Sequence, residues 1–365
     1  MKVNLGDCAQ LIKSRVGTEE ALEDSYVSTD NMLPNRGGIK FGDSNLPKSE
    51  TVNDYQKGDI LVSNIRPYFK KIWFADRDGT RSGDVLCFRA RNVGILDEYL
   101  YCVLQSDSFF NYVVATSKGT KMPRGDKKAI LNYEFDLPSR EEQYKKYNPI
   151  LLIEEKIRLN NQINNNLFKL AKIHFDRQLD SENIKFSQIS TIQNGYAFKS
   201  KEYVDTNELM ILRTKNINDN HLFSKNDVVY ISKELFDEYK RFSFSAFDTV
   251  LVMVGASIGK TGFVTSNMTP SLQNQNMWRF RPKMSNIPGL LIFQYVNYIN
   301  KHIIGSATGS ARSFYRKKLF SEFEVPRINS TNYIYFDTLQ REIDHLNTEN
   351  EILYRIKHSL LNHYF

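Results

Sequence analysis

The sequence predicts an α+β chain of two similar globular domains separated by two long antiparallel helices packed as a coiled coil. Three observations predict it. Asp59 to Ala75, DILVSNIRPYFKKIWFA, aligns without gaps on Asp248 to Val264, DTVLVMVGASIGKTGFV, at an offset of 189 residues. Leu137 to Asp180 reads as a capped amphipathic helix in the middle of the chain. Near the end, Leu339, Leu346, Leu353 and Leu360 fall seven apart, interleaved with Ile343, Asn350, Lys357 and Tyr364, which is a heptad seam.

The totals fit this reading. A chain of 365 residues suggests two or three domains. With 41% hydrophobic and 25% charged residues it is globular, and 24 Phe and 20 Tyr supply an ample core. The formal net charge of +7 favours a polyanion partner. Cys8, Cys87 and Cys102 form no CxxC and leave one unpaired, which suits a reducing compartment. Met1 leads into a polar run and no apolar run is long enough to span a bilayer, so a cytoplasmic protein without a membrane partner is expected.

In the first domain, residues 1–138, the segment Thr29 to Gly42 is rich in turn residues. Ile60 to Ser63, Ile72 to Ala75 and Val85 to Arg91 read as strands. Leu96 to Val114 is apolar at helical spacing and reads as one helix, followed by the basic loop Ser117 to Lys128. The central helix fills residues 139–180. Ser139 and Glu142 form a capping box, and Pro149 predicts a kink or break near Asn148. Beyond it, Leu152, Leu159, Ile163, Leu170 and Ile173 form an apolar stripe, with Ile153, Ile157 and Leu167 beside it and an Asn-rich run suited to a paired helix. About 45 Å of helix is expected from Pro149 to Gln178. Residues 181–333 repeat the first domain. Phe88 of FRAR matches Phe280 of FRPK with a shift of three, and EFDLP at Glu134 matches EFEVP at Glu322. Residues 334–365 form the second helix of the pair.

Gly255 to Thr261, GASIGKT, is one residue short of the phosphate-loop spacing, so a nucleotide-dependent enzyme is a minor alternative. Asn148-Pro149-Ile150-Leu151 lacks the second proline and the aromatic of an amino-methyltransferase tetrad and serves as helix punctuation. The six histidines show no metal-ligand spacing, and no catalytic triad stands out. The basic residues cluster instead. Candidate DNA contacts in the first domain are Arg66, Tyr68, Lys70, Lys71, Lys121, Arg124 and Lys127. In the second they are Arg213, Lys215, Ser257, Lys260, Gln273, Asn274, Gln275, Arg312, Tyr315 and Arg316. Arg, Asn and Gln pair with base edges, and lysines and backbone amides with phosphates.

The order domain, helix, domain, helix resembles the specificity subunit of type I restriction–modification systems. The residues that carry the resemblance are the two aligned blocks, GTKMPRGDKKAILNYEFDLPSREEQ, and the helix IEEKIRLNNQINNNLFKLAKIHFD. It covers essentially the whole chain. One departure is EVPRINSTNYIYFDTLQ, which lacks the EEQ of the first repeat and puts the second cap in doubt. The resemblance implies two target-recognition domains reading a bipartite, asymmetric double-stranded DNA site. It implies helices that act as spacer and as platform for two methyltransferase (modification) subunits, with restriction/translocase subunits joining. The chain would then be non-catalytic and bind no cofactor, the methyltransferase subunits bringing S-adenosylmethionine. A stand-alone DNA-binding protein is the other alternative.

Overall fold

The computed structural model describes residues 1–42, 44–91, 94–179, 182–205, 208–304 and 315–365. The chain divides into two compact units: Met1–Lys156 with Tyr354–Phe365, and Ile157–Leu353.

The first unit is built on an antiparallel sheet in the order Ala9–Leu11, Val85–Ala90, Ile60–Ser63, Ile72–Phe74. Ile60 to Ser63 is wholly buried, as an unbroken apolar run requires. A second sheet joins Arg15–Gly17, Thr51–Tyr55, Gly79–Arg81 and Tyr26–Val27, the last pair parallel. Lys2–Asn4 pairs with Glu134–Asp136. The single helix expected from Leu96 to Val114 is two, Asp97–Gln105 and Asp107–Ala115. Ser106 takes extended backbone between them, and its hydroxyl caps the second by accepting from the Phe109 amide at 3.1 Å.

The second unit repeats the plan. Ser190–Asn194, Met277–Pro282, Thr249–Val252 and Thr261–Phe263 form the equivalent first sheet, and Asn183–Lys185 pairs with Glu324–Pro326. Its second sheet runs Tyr203–Val204, Val229–Ile231, Leu209–Leu212, Ser271–Gln273, an order in which the last two positions are exchanged relative to the first unit. Matched anchors explain why the sequence blocks recur. Buried Asp59 receives Arg89 Nε at 2.6 Å and Nη2 at 2.8 Å, and buried Asp248 receives Arg281 Nε at 2.7 Å and Nη2 at 2.6 Å. Such a bidentate pair lets an ionised carboxylate lie under a sheet. Tyr99 donates to the Asp136 carbonyl at 2.8 Å, and Tyr295 to the Pro326 carbonyl at 2.7 Å.

The central helix runs unbroken from Arg140 to Asp176 with Pro149 inside it, so the break expected at Asn148 does not occur. A proline costs about 3 kcal/mol within a helix. Here Ile150, fully buried with Cys102 and Leu361, keeps the turn packed and offsets that cost. The capping box forms: Glu142 N–H donates to Ser139 Oγ at 3.3 Å, and Ser139 N–H to Glu142 Oε2 at 3.2 Å. The terminal helix spans Tyr333–Tyr364. In the first unit Ile150 meets Leu361 and Glu154 pairs with Lys357 at 2.5 Å, so the two helices run antiparallel. In the second, Asn160 Nδ2 donates to Asn350 Oδ1 at 2.9 Å and His174 stacks on Tyr335. The heptad seam is thus real, with Leu339, Ile343, Leu346, Asn350 and Lys357 buried in it.

The apolar stripe of the central helix lies away from the core. Leu152, Leu159, Ile163, Leu170 and Ile173 are all exposed. The buried face carries Ile157, Asn160, Asn164, Phe168, Ala171 and Phe175. The two faces lie more than 90° apart on a 3.6-residue helix. Large Phe side chains reach the domain core, and Asn160 donates across the helices to Asn350, whereas both amide atoms of Asn164 are buried without a hydrogen bond. No described helix is long and apolar enough to cross a membrane.

Candidate nucleic-acid interface

In the first unit the candidate residues lie on two loops joined by backbone hydrogen bonds. One is the turn Arg66 to Lys70 between the strands Ile60–Ser63 and Ile72–Phe74. The other is the basic loop from Ser117, which ends where Asp126 caps the helix Lys127–Leu131 by accepting from the Lys128 amide at 2.9 Å. Arg66 N–H donates to the Pro123 carbonyl, and Gly125 N–H to the Asn64 carbonyl. Arg66, Tyr68, Lys121, Arg124 and Lys127 are exposed at this surface. Arg124 reaches Asp84 at 3.1 Å.

Two other candidates are occupied within the fold. Lys70 Nζ donates to Asp107 at 2.6 Å, and Arg36 meets the same carboxylate. Burial alone would raise the Asp107 pKa, but the hydrogen bonds from Lys70 and Arg36 hold it down at about 2. Lys71 Nζ donates to the Thr29 carbonyl at 2.6 Å, and burial lowers its pKa. Trp73 packs edge-on against Phe41 and Tyr55.

In the second unit, Gly255 to Lys260 forms a turn that leads into the strand Thr261–Phe263. A phosphate loop opens a helix at this point, so the geometry is that of a hairpin rather than a nucleotide cradle. Lys260 Nζ donates to the Ile217 carbonyl at 2.6 Å and lies 3.6 Å from Asp219. It mirrors Lys71, at an offset of 189: each lysine ties the turn to a facing loop. Lys215 pairs with Asp227 at 3.1 Å, and Arg213 donates to the Asp227 carbonyl. Ser257 and Gln275 are exposed and Asn274 is half-buried.

Gln273 corrects the expectation of a base-reading side chain. It is fully buried, and its Nε2 donates to the carbonyls of Gln193 at 3.0 Å and Met277 at 2.7 Å. Tyr315 is likewise buried, against Trp278 and Phe320, while Arg316 is exposed. Arg312 lies outside the described residues, as does Asp180 at the expected end of the central helix. Among the described residues no group of three or more His, Cys, Asp or Glu side chains could hold a metal ion.

Sequence reasoning missed two features. The first is the clamp of Arg36, Lys70 and Asp107, which carries no local signal because its members are far apart in the chain. The second is the left-handed backbone of Arg66 and Lys70, at φ 49° and 50°. Its signal lay in the repeat, which puts Gly255 and Gly259 at the aligned positions.

Residues 178–355 match the family model described as the type I restriction modification DNA specificity domain. Over 355 residues the chain is 24% identical to the type I restriction enzyme MjaVIII specificity subunit of Methanocaldococcus jannaschii, covering 89% of this chain and 81% of that one. It is 26% identical over 183 residues to the HindI specificity subunit of Haemophilus influenzae, covering 47% of this chain and 39% of that one. Among solved structures, a type I restriction–modification S subunit from M. genitalium matches with a TM-score of 0.57 at 15% identity, covering 100% of this chain and 96% of that one. That last likeness is one of fold.

Proposed function

We propose, since this chain belongs to the type I restriction modification DNA specificity family, that it reads double-stranded DNA for a methylating and cutting complex. Each unit reads one part of a split site. Two different surfaces on one scaffold make the target asymmetric, as paired readers on unlike half-sites require. The chain itself is non-catalytic. Methyltransferase subunits, two per chain, bring S-adenosylmethionine, restriction/translocase subunits join them, and the complex works in the cytoplasm.

The observation that carries this reading is the duplication. The same sheet, the same buried Asp–Arg anchor and the same lysine tie occur twice, under turns of different sequence. A constant scaffold under variable loops is how recognition modules are diversified. The exposed row of Leu159, Ile163 and Leu170 on the central helix supports a partner-docking role, because an apolar stripe on a long helix is suited to a second protein surface.

The test is co-expression with a modification subunit of this family. The two are expected to co-purify and to protect a bipartite site. Ile163→Glu with Leu170→Glu should abolish co-purification without changing the circular dichroism of the chain. Sequence-specific DNA binding by the chain with no association in either form would favour the stand-alone DNA-binding protein.

A further inference from the structure

The turn between Ile60–Ser63 and Ile72–Phe74 places two charged residues where the second unit has glycines. Arg66 and Lys70 hold left-handed backbone, and Gly255 (φ 91°) and Gly259 (φ 85°) hold it 189 positions later. L side chains adopt this region at a cost that glycine does not bear, and such strain collects at functional sites. The Lys70 side chain accounts for itself through Asp107. Arg66 is different: it is exposed, and among the described residues its side chain has no hydrogen-bond or ion-pair partner.

Between these two corners stand Tyr68 and Phe69, 48% and 38% exposed, with ring centroids 4.7 Å apart. Asn35 N–H donates to the Phe69 carbonyl at 2.8 Å, and Arg36 N–H to the Lys70 carbonyl at 2.9 Å. The turn is therefore held rigid from behind while its aromatic tip faces solvent. The tip stands beside Arg66 and the loop of Lys121, an exposed cation. The aligned positions in the second unit are Ser257 and Ile258, with no aromatic.

Apolar side chains that enter a base step beside cationic ones unstack it and bend the duplex. Aromatic rings supply the stacking surface that replaces the lost base. Resting on the DNA-reading role above, we propose that Tyr68 and Phe69 form a wedge that opens one base step in the half-site read by the first unit, with Arg66 anchoring the adjoining phosphates. The aligned turn of the second unit carries no such wedge, so the distortion falls on the half of the target read by the first unit. Flexible pyrimidine–purine steps open at the lowest cost, so the wedge adds a preference for such a step without reading its base edges.

The test uses the full chain assembled with its modification subunit, and duplexes carrying the methylated site. Each duplex has one 2-aminopurine in place of adenine, or one pyrrolocytosine in place of cytosine, scanned along the site. The expected result is a severalfold fluorescence rise at one step, in one half-site only. Tyr68→Ala with Phe69→Ala should remove that rise while the complex still assembles, and Tyr68→Phe should keep it. A wild-type complex that binds with no rise anywhere overturns the wedge, as does a rise that survives in the double variant. A double variant that no longer assembles would assign the tip to a protein contact and overturn it too. Absence of any site-specific binding by the wild-type complex would instead overturn the DNA-reading role on which the wedge stands.

Discussion

Asp107→Asn tests whether the turn bearing Arg66 is held from behind by charge. The carboxylate receives Lys70 Nζ and Arg36 Nη2, and Arg36 Nε also donates to the Gln105 carbonyl at 2.5 Å. A carboxylate moved from about 3.9 in the unfolded chain to about 2 in the fold is worth ~2.6 kcal/mol by linkage. The Asp107 and Lys70 side chains remain 30% and 26% exposed, so solvent screening reduces this to about 1 kcal/mol. The folded pKa is depressed. The contribution is therefore present in full above the unfolded value near pH 4 and is lost as pH falls through about 2. Trp73 lies in the first unit and Trp278 in the second, so Trp278→Phe leaves Trp73 as a reporter of the first unit. In that background, urea unfolding followed by tryptophan emission should show Asp107→Asn less stable by about 1 kcal/mol at pH 7. The gap should close towards pH 2. Equal stabilities at pH 7, or a gap unchanged at pH 2, would refute the clamp. Lys70→Ala should show a similar loss at pH 7, whereas a phosphate contact by Lys70 would show as a shallower salt slope at unchanged stability.

Three other outcomes follow from the same geometry. Arg66→Gly should leave the first unit as stable as wild type or up to ~1 kcal/mol more so, because relieved strain of ~1–2 kcal/mol outweighs an unfolded-state entropy cost of ~0.5–1 kcal/mol. DNA binding should weaken at the same time, and its salt slope should shallow by about one ion; a stability loss above 1 kcal/mol by urea titration goes against the strain argument. Asn164 is fully buried with neither amide atom hydrogen-bonded, so Asn164→Leu should stabilise the second unit by ~1–2 kcal/mol in a urea titration followed by Trp278 emission in a Trp73→Phe background, and a destabilisation would contradict the account of the seam. A Cβ at Gly195 would lie 1.9 Å from the Asn274 carbonyl oxygen, so Gly195→Ala should cost more than ~2 kcal/mol and shift the Asn274 and Gln275 resonances; an unperturbed protein would mean the loop gives way freely.

Much of this fold was legible because its signals are local. The strand Ile60–Ser63, the Ser139–Glu142 capping box and the terminal heptad each depend on neighbours within a few residues. The repeat was legible because Asp59 with Arg89, and Asp248 with Arg281, constrain residue type at nearly the same separation in both units. The strands of the second sheets escaped notice because most are two to four residues long and lie in turn-rich segments. The buried face of the central helix was not legible for a physical reason. Hydrophobicity marks a face that gains from burial but not which surface covers it, and in this chain the most regular apolar row is exposed. Pro149 shows the same override, since packing of Ile150 holds a turn that local preference would break. Among the candidate contacts, residue type alone could not separate Arg66, which faces solvent, from Lys70, Lys71 and Lys260, whose ammonium groups are taken by the fold. Gln273 was hidden similarly: a buried amide satisfied by two carbonyls has the same sequence signature as a base reader.

The most direct test of the central claim is methylation profiling of a genome carrying the modification subunit with this chain, and with a chimaera whose residues 1–138 come from a relative of different specificity. The account predicts a bipartite, asymmetric methylated motif that vanishes without the chain, and a chimaera that changes one half of the motif and keeps the other. A motif that is continuous, or that changes in both halves, or methylation indifferent to the chain, would contradict it.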